Sequence, residues 1–149
     1  MKYEPDIILV DRSVEDLPIT RNILDKFKSV DTTVIEDVQA IKRPRDFSKA
    51  KKMLLVTEHK GKPFKFCQGM GPGHICCNYM ILDFISNCPM DCSYCILQSY
   101  IQNNPLLTIY TNIDEIIDGS VEYFKNYQGR KFRLGTGELS DSLALDHIT

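Results

Sequence analysis

At 149 residues, with 43% apolar and 26% charged side chains and a formal net charge of -2, the chain has the make-up of one soluble globular domain, or one and a half. No run approaches the ~18 apolar residues of a membrane span. The first residues lack the apolar segment of a signal peptide, so a cytoplasmic location without membrane contact is expected.

Asp6–Val10 is a short apolar run between Pro5 and Asp11-Arg12-Ser13, as expected of a buried strand. Pro18 suits a first helical turn, and Ile19, Ile23, Leu24 and Phe27 then recur at helical spacing, with Lys26 and Lys28 near the end. Thr32–Glu36, rich in β-branched residues, reads as a second strand, and Lys52–Glu58, after a loop about Arg43-Pro44-Arg45, as a third. Residues 1–66 are therefore expected to form a small α/β domain. Units of about 60 residues rarely stabilise themselves, so it should pack on residues 67–149. Half of the 18 Lys and Arg fall between Ile41 and Phe66, which fits either a solvated edge and loop or a nucleic-acid contact.

Cys67–Cys77, with Gly69, Gly71, Pro72 and Gly73, reads as a loop in which backbone approaches something closely, without the Gly-Lys-Ser/Thr ending of a phosphate loop. Its Cys67, Cys76, Cys77 and His74 are of the types that bind metal, the alternative for the cysteines being buried or spare thiols. Tyr79–Ile85 is expected to be the first strand of a second domain, delivering Cys88 at its C-terminal end. A helix follows over Ile96–Gln102, broken by Asn103-Asn104-Pro105. After the extended Leu106–Tyr110 comes the clearest helix. Asn112 stands at its N-cap with Glu115 three positions on, Ile113, Ile116, Ile117, Val121 and Phe124 line one face, and Gly129 ends it. Lys131–Leu134 is then a second strand, parallel to the first through a right-handed crossover, running into Gly135-Thr136-Gly137-Glu138.

Six cysteines in a chain without a secretion signal read as reduced thiols serving a metal or a reaction rather than as a disulfide framework. Cys88, Cys92 and Cys95 can turn to one side of a short loop and hold three irons of a [4Fe-4S] cubane, leaving the fourth iron without a protein ligand. A structural zinc site usually wants four protein ligands, and no second cysteine pair lies downstream. A ferredoxin run has other spacings and supplies its own fourth thiolate. Gly135-Thr136-Gly137-Glu138, taken alone, reads as a turn.

With Tyr94 before the third cysteine, Cys88-Pro89-Met90-Asp91-Cys92-Ser93-Tyr94-Cys95 resembles the Cys-x3-Cys-x-aromatic-Cys signature of radical S-adenosylmethionine (SAM) enzymes. The fold this implies is α/β, the start of a radical SAM partial (β/α) barrel preceded by the small α/β unit, with reactive loops at the C-terminal ends of parallel strands. Thr136-Gly137-Glu138 resembles the Gly-Gly-Glu that engages SAM's amino group in that superfamily, and Tyr94 is placed near SAM with it.

Phe64–Thr149 bears a closer resemblance. The run Cys88 to Gln98, Ser140-Asp141 and Asp146-His147-Ile148-Thr149 are similar to the spore photoproduct lyase family of DNA repair enzymes. That resemblance implies a [4Fe-4S] cluster and SAM as cofactors, DNA as partner, and an electron donor such as flavodoxin or ferredoxin. It also implies reductive cleavage of SAM to a 5′-deoxyadenosyl radical that opens a thymine dimer, the lesion being extruded from the helix. Two positions depart from the family: Glu138 stands where a hydrogen-donating cysteine is expected, and Ile96 where a tyrosine is. Alternative readings are a radical SAM enzyme on another substrate and a non-catalytic iron-sulfur or zinc module that binds nucleic acid. A full β/α barrel takes ~250 residues, and two of its strands are recognisable here. A fragment or shortened product is therefore expected, with an exposed strand edge and an uncovered apolar face.

Overall fold

A computed structural model describes the chain except for residues 1–2, 63, 68–72, 74–78, 91, 102–103, 128, 130, 138–139, 141–142 and 149. The three expected N-terminal strands are present as β1 (Ile7–Asp11), β2 (Thr32–Ile35) and β3 (Met53–Thr57). Between β1 and β2 runs α1 (Pro18–Lys26), with Pro18 in its first turn, where a missing N–H costs nothing. The short α2 (Phe47–Lys51), capped by the Asp46 side chain on Lys49 N, precedes β3. There follow β4 (Phe64–Phe66), β5 (Tyr79–Leu82), β6 (Ile85–Ser86), α3 (Leu97–Tyr100), β7 (Leu107–Tyr110), α4 (Ile113–Lys125) and β8 (Arg133–Thr136).

Five strands form one sheet in the order β2-β1-β3-β7-β6, parallel except for β6. A second sheet has the order β4-β5-β8, with β4 antiparallel and β8 parallel to β5. The boundary expected at residue 66 is therefore not a boundary between sheets, because β6 and β7 complete the sheet that β1, β2 and β3 begin. Both faces of that sheet are covered at its centre, which is why β1 and β3 are near-continuous apolar runs rather than alternating ones. Ile8, Val10, Leu54, Val56, Leu107 and Ile109 pack with Ile23 and Phe27 of the α1 region and with Leu145 and Ile148. Leu9, Leu55 and Leu106 pack on the other face with Ala50 of α2 and half-buried Val38 and Ile41. Burying a side chain such as Leu145 or Ile148 is worth about 1.5–3 kcal/mol, so this small sheet draws part of its stability from residues far along the chain.

The strand expected over Tyr79–Ile85 is divided. The chain leaves the smaller sheet after Leu82 and enters the larger one at Ile85, and Phe84 packs into the cores of both. Beside this step the Lys65 ammonium pairs with the Asp83 carboxylate at 2.7 Å. An apolar run gives no periodicity by which such a step is announced.

Helix α4 covers the smaller sheet, with Ile116, Tyr123 and Phe124 against Phe64, Met80 and Leu82. The apolar stripe expected on this helix is only half right, since Ile117 and Val121 are exposed while Ser120 is buried. Tyr123, Phe124, Tyr127 and Phe132 form a chain of ring contacts, and Tyr123 and Phe124 both meet Phe64. These large rings bury more area than Ile117 and Val121, and they set the helix's rotation. The buried Ser120 hydroxyl is satisfied by donating to Ile116 O at 2.7 Å. Asn112 does stand at the helix start, but its side chain makes no cap bond to the helix. Its Oδ1 accepts from His59 N at 2.8 Å and its Nδ2 donates to His59 O at 3.2 Å and to Glu115 Oε2 at 3.0 Å, tying the helix start to the loop after β3.

At the end of β1 the buried Asp11 carboxylate accepts from Thr57 Oγ1 at 2.6 Å and from Ser13 N and Oγ. Burial opposes its charge, but these hydrogen bonds outweigh burial and hold its carboxyl below the ordinary range. A depressed carboxyl contributes stability that is full above the unfolded value of about 3.9 and is lost as pH falls through the folded value. Thr57→Val is expected to raise the Asp11 titration, move the acid-unfolding midpoint to higher pH and remove about 1.5 kcal/mol at neutral pH. An NMR titration of Asp11 with acid melts followed by circular dichroism checks this; an unmoved midpoint contradicts it.

Candidate functional site

The cysteine loop leaves β6 through Asn87, which is fully buried and has a backbone φ of 70°. This left-handed conformation is unfavourable for most side chains and tolerated by asparagine. The Asn87 side chain fixes it from both ends: Oδ1 accepts from Cys88 N at 2.8 Å, and Nδ2 donates to Pro105 O, just before β7, at 2.6 Å. Further along, Cys95 N donates to Cys92 O at 3.1 Å, and Ile96 O accepts from Ser99 N and Tyr100 N as α3 begins.

Cys88, Cys92 and Cys95 take part in no disulfide, and each is half-buried in this one loop. Three soft thiol donors at a partly exposed turn suit iron in chemistry and in access. Among the described residues, however, no three His, Cys, Asp or Glu side chains are gathered as a ligand set. The loop therefore carries the donors without drawing them together. Tyr94 is 90% exposed and Ile96 is exposed beside it, so neither ring nor aliphatic chain turns into the protein.

The second motif lies on the neighbouring strand. β5 and β8 run parallel with Leu82 opposite Thr136, and Gly137 N donates to Leu82 O at 3.1 Å. Thr136-Gly137 therefore stands beside the C-terminal end of β5, from which the chain continues through Phe84, β6 and Asn87 to Cys88. Gly137 has φ 78°, a conformation glycine adopts freely. At Gly135 a Cβ would run into the Tyr79 ring and hydroxyl, so only glycine fits there as the strands stand. Glu138, Asp141, His74, Cys76 and Cys77 lie outside the described residues. Of the glycine-rich loop, Cys67 is half-buried and its backbone N–H donates to Tyr79 O at 3.0 Å.

Because β6 runs antiparallel to β7, the cysteine loop starts at the edge of the larger sheet where β1, β3 and β7 begin. A polar cleft of about 400 Å³, lined by Asp11, Arg43, Thr57, Lys60, Asn104 and Tyr110, sits at the opposite edge. Burial pushes the Tyr110 phenol up and the Asp83 charge adds to this, against Lys65 and a hydrogen bond with Ser86, so it stays protonated beside Phe84, where the chain enters β6. Much of the basic segment is spent within the protein. Arg43 donates to Val38 O, Ile41 O and Asn104 Oδ1, Lys52 to Glu4 O, and Lys60 and Lys65 pair with Glu58 and Asp83. Those contacts favour an edge-and-loop role for this stretch over a nucleic-acid surface. Sequence reasoning passed over Asn87, for which Asn before a Cys-Pro turn was the one available signal, and Lys51, which looked like one more surface lysine. Among the described residues no helix is long and apolar enough to cross a membrane.

A family model described as "Spore photoproduct lyase" matches residues 3–149. The spore photoproduct lyase of Bacillus subtilis (strain 168) is 24% identical over 155 residues, covering 99% of this chain and 43% of its own length. That of Clostridium acetobutylicum is 24% identical over 125 residues, covering 79% of this chain and 35% of its own. A solved spore photoproduct lyase double mutant with bound AdoMet and dinucleoside spore photoproduct matches with a TM-score of 0.82 at 18% identity, covering 100% of this chain and 44% of that one. Another, complexed with dinucleoside spore photoproduct, gives 0.80 at 18% identity, again covering 100% of this chain and 44% of that one. The likeness shows a shared α/β fold. The chain spans less than half the length of the relatives it matches.

Asn87→Ala leaves Pro105 O and Cys88 N without their buried partner and puts a Cβ without a compensating amide into the left-handed region. A loss of about 2–4 kcal/mol is expected, since each unsatisfied group costs ~1–3 kcal/mol. Asn87→Gly keeps the backbone freedom but not the hydrogen bonds and should fall between. Urea unfolding reads the order wild type, Gly, Ala, and equal stabilities would remove Asn87 from this role.

Proposed function

The chain belongs to the spore photoproduct lyase family, and from that membership we propose that it is the cluster- and SAM-binding part of a radical SAM lyase acting on thymine-dimer lesions in DNA. The observation that carries this reading is that Thr136-Gly137 is bonded to Leu82 at the C-terminal end of β5, the strand from which the chain runs on to Cys88, Cys92 and Cys95. Cys88, Cys92 and Cys95 would hold a [4Fe-4S] cluster, which when bound supplies the electron for reductive cleavage of SAM to methionine and a 5′-deoxyadenosyl radical.

The chain's own residues position and shield. Asn87 orients the first ligand by holding Cys88 N and fixing the turn out of β6. Thr136 and Gly137, held in register by Leu82, present backbone to the amino-acid end of SAM, and Glu138 offers a carboxylate for its ammonium group. Tyr94, exposed on the loop, is available to cover SAM. Glu138 and Ile96 replace the cysteine and tyrosine expected of a hydrogen relay, so the hydrogen that completes repair would come from elsewhere. DNA is the proposed partner, by way of the dinucleoside photoproduct named in the solved relatives. A flavodoxin or ferredoxin is the proposed electron donor.

Anaerobic reconstitution with iron and sulfide tests the assignment. Wild type is expected to retain iron and acid-labile sulfide in equal amounts, and Cys92→Ala to lose the cluster while keeping its far-ultraviolet circular dichroism. Equal retention by the variant contradicts the assignment of Cys92, and stoichiometric zinc in place of iron contradicts the cluster.

A further inference from the structure

Lys51, the last residue of α2, is 3% exposed. Lysine is almost never fully buried unless paired, and among the described residues this ammonium has no carboxylate partner. Its Nζ instead donates to Met90 O, the carbonyl midway between Cys88 and Cys92, and lies 4.5 Å from the centroid of the Phe47 ring. The backbone from which it reaches is fixed as well, since the buried Tyr3 hydroxyl donates to Lys51 O at 2.9 Å and the adjacent Ala50 is fully buried. That carbonyl and that ring face are the contacts of the ammonium among the described residues. Three thiolates on an oxidised cluster give a net negative charge, and reduction adds one more, so a buried cation against this loop favours the reduced form.

We propose that Lys51 is a positioning residue through which the N-terminal α/β unit acts on the cysteine loop, pinning the turn between Cys88 and Cys92 and raising the reduction potential of the cluster held there. The second half of this inference rests on the cluster reading; the first half does not. During reduction the cluster takes up one electron from the external reductant, and Lys51 gains and loses no bond.

Two measurements on Lys51→Met, which keeps the volume and removes the charge and the donor, and on Lys51→Arg, which keeps both, separate the parts. In the metal-free, reduced protein, the rate at which Cys88 and Cys92 react with a thiol reagent reads the pinning. Lys51→Met should react several-fold faster than wild type with Lys51→Arg closer to wild type, and equal rates in all three overturn the pinning. In reconstituted protein titrated with dithionite, Lys51→Met should be about tenfold harder to reduce, which is about 59 mV for a one-electron couple, with Lys51→Arg near wild type. Equal potentials overturn the electrostatic role. A wild type that takes up no iron-sulfur cluster contradicts the proposed function, while the thiol-labelling arm still decides the pinning.

Discussion

The buried amide of Asn87 is the constraint on which the site depends. At this residue the chain has just crossed from one sheet to the other and must turn sharply outward. The turn is possible because a left-handed backbone, a donor to Pro105 O and an acceptor for Cys88 N are supplied by one side chain. Buried polar groups of this kind are costly unless fully satisfied, and here both functions of the amide are used. The first cysteine therefore starts from a fixed point, while the stretch from Cys92 to Ile96 is held by local turn bonds.

The two sheets divide the work. The smaller one brings β5 and β8 side by side in parallel, so that Thr136-Gly137 and the path to Cys88 share one edge. The larger one stands behind the loop, with β7 receiving β6 and the α2 end reaching Met90 through Lys51. Phe84, packed in both cores, joins the sheets where the chain changes over. The N-terminal residues are thus a wall of the cysteine site rather than an appendage to it.

Much of this was legible in the sequence. Apolar runs placed β1 and β3, and β-branched residues placed β2, to within a residue or two, Pro18 placed α1, and thiol spacing picked out the loop. Parallel pairing of the two barrel strands followed from the helix between them. The division of Tyr79–Ile85 was not legible, because residues buried on both sides of a step between sheets look like one buried strand. The rotation of α4 was misjudged because spacing alone does not weigh Ile117 and Val121 against the larger area of Tyr123, Phe124 and Phe132. Asn112 matched a capping pattern, yet its amide went to His59 across the fold, a competition that only tertiary structure reveals. Lys51 sat in a basic run that reads as solvated, and nothing local marks it as buried.

The central claim is that these residues hold a cluster with an iron open to SAM. Low-temperature electron paramagnetic resonance of the reconstituted, reduced protein, recorded with and without SAM, addresses it most directly. The account predicts a reduced [4Fe-4S] signal whose shape changes when SAM is added. A signal indifferent to SAM, or none at all, would contradict it.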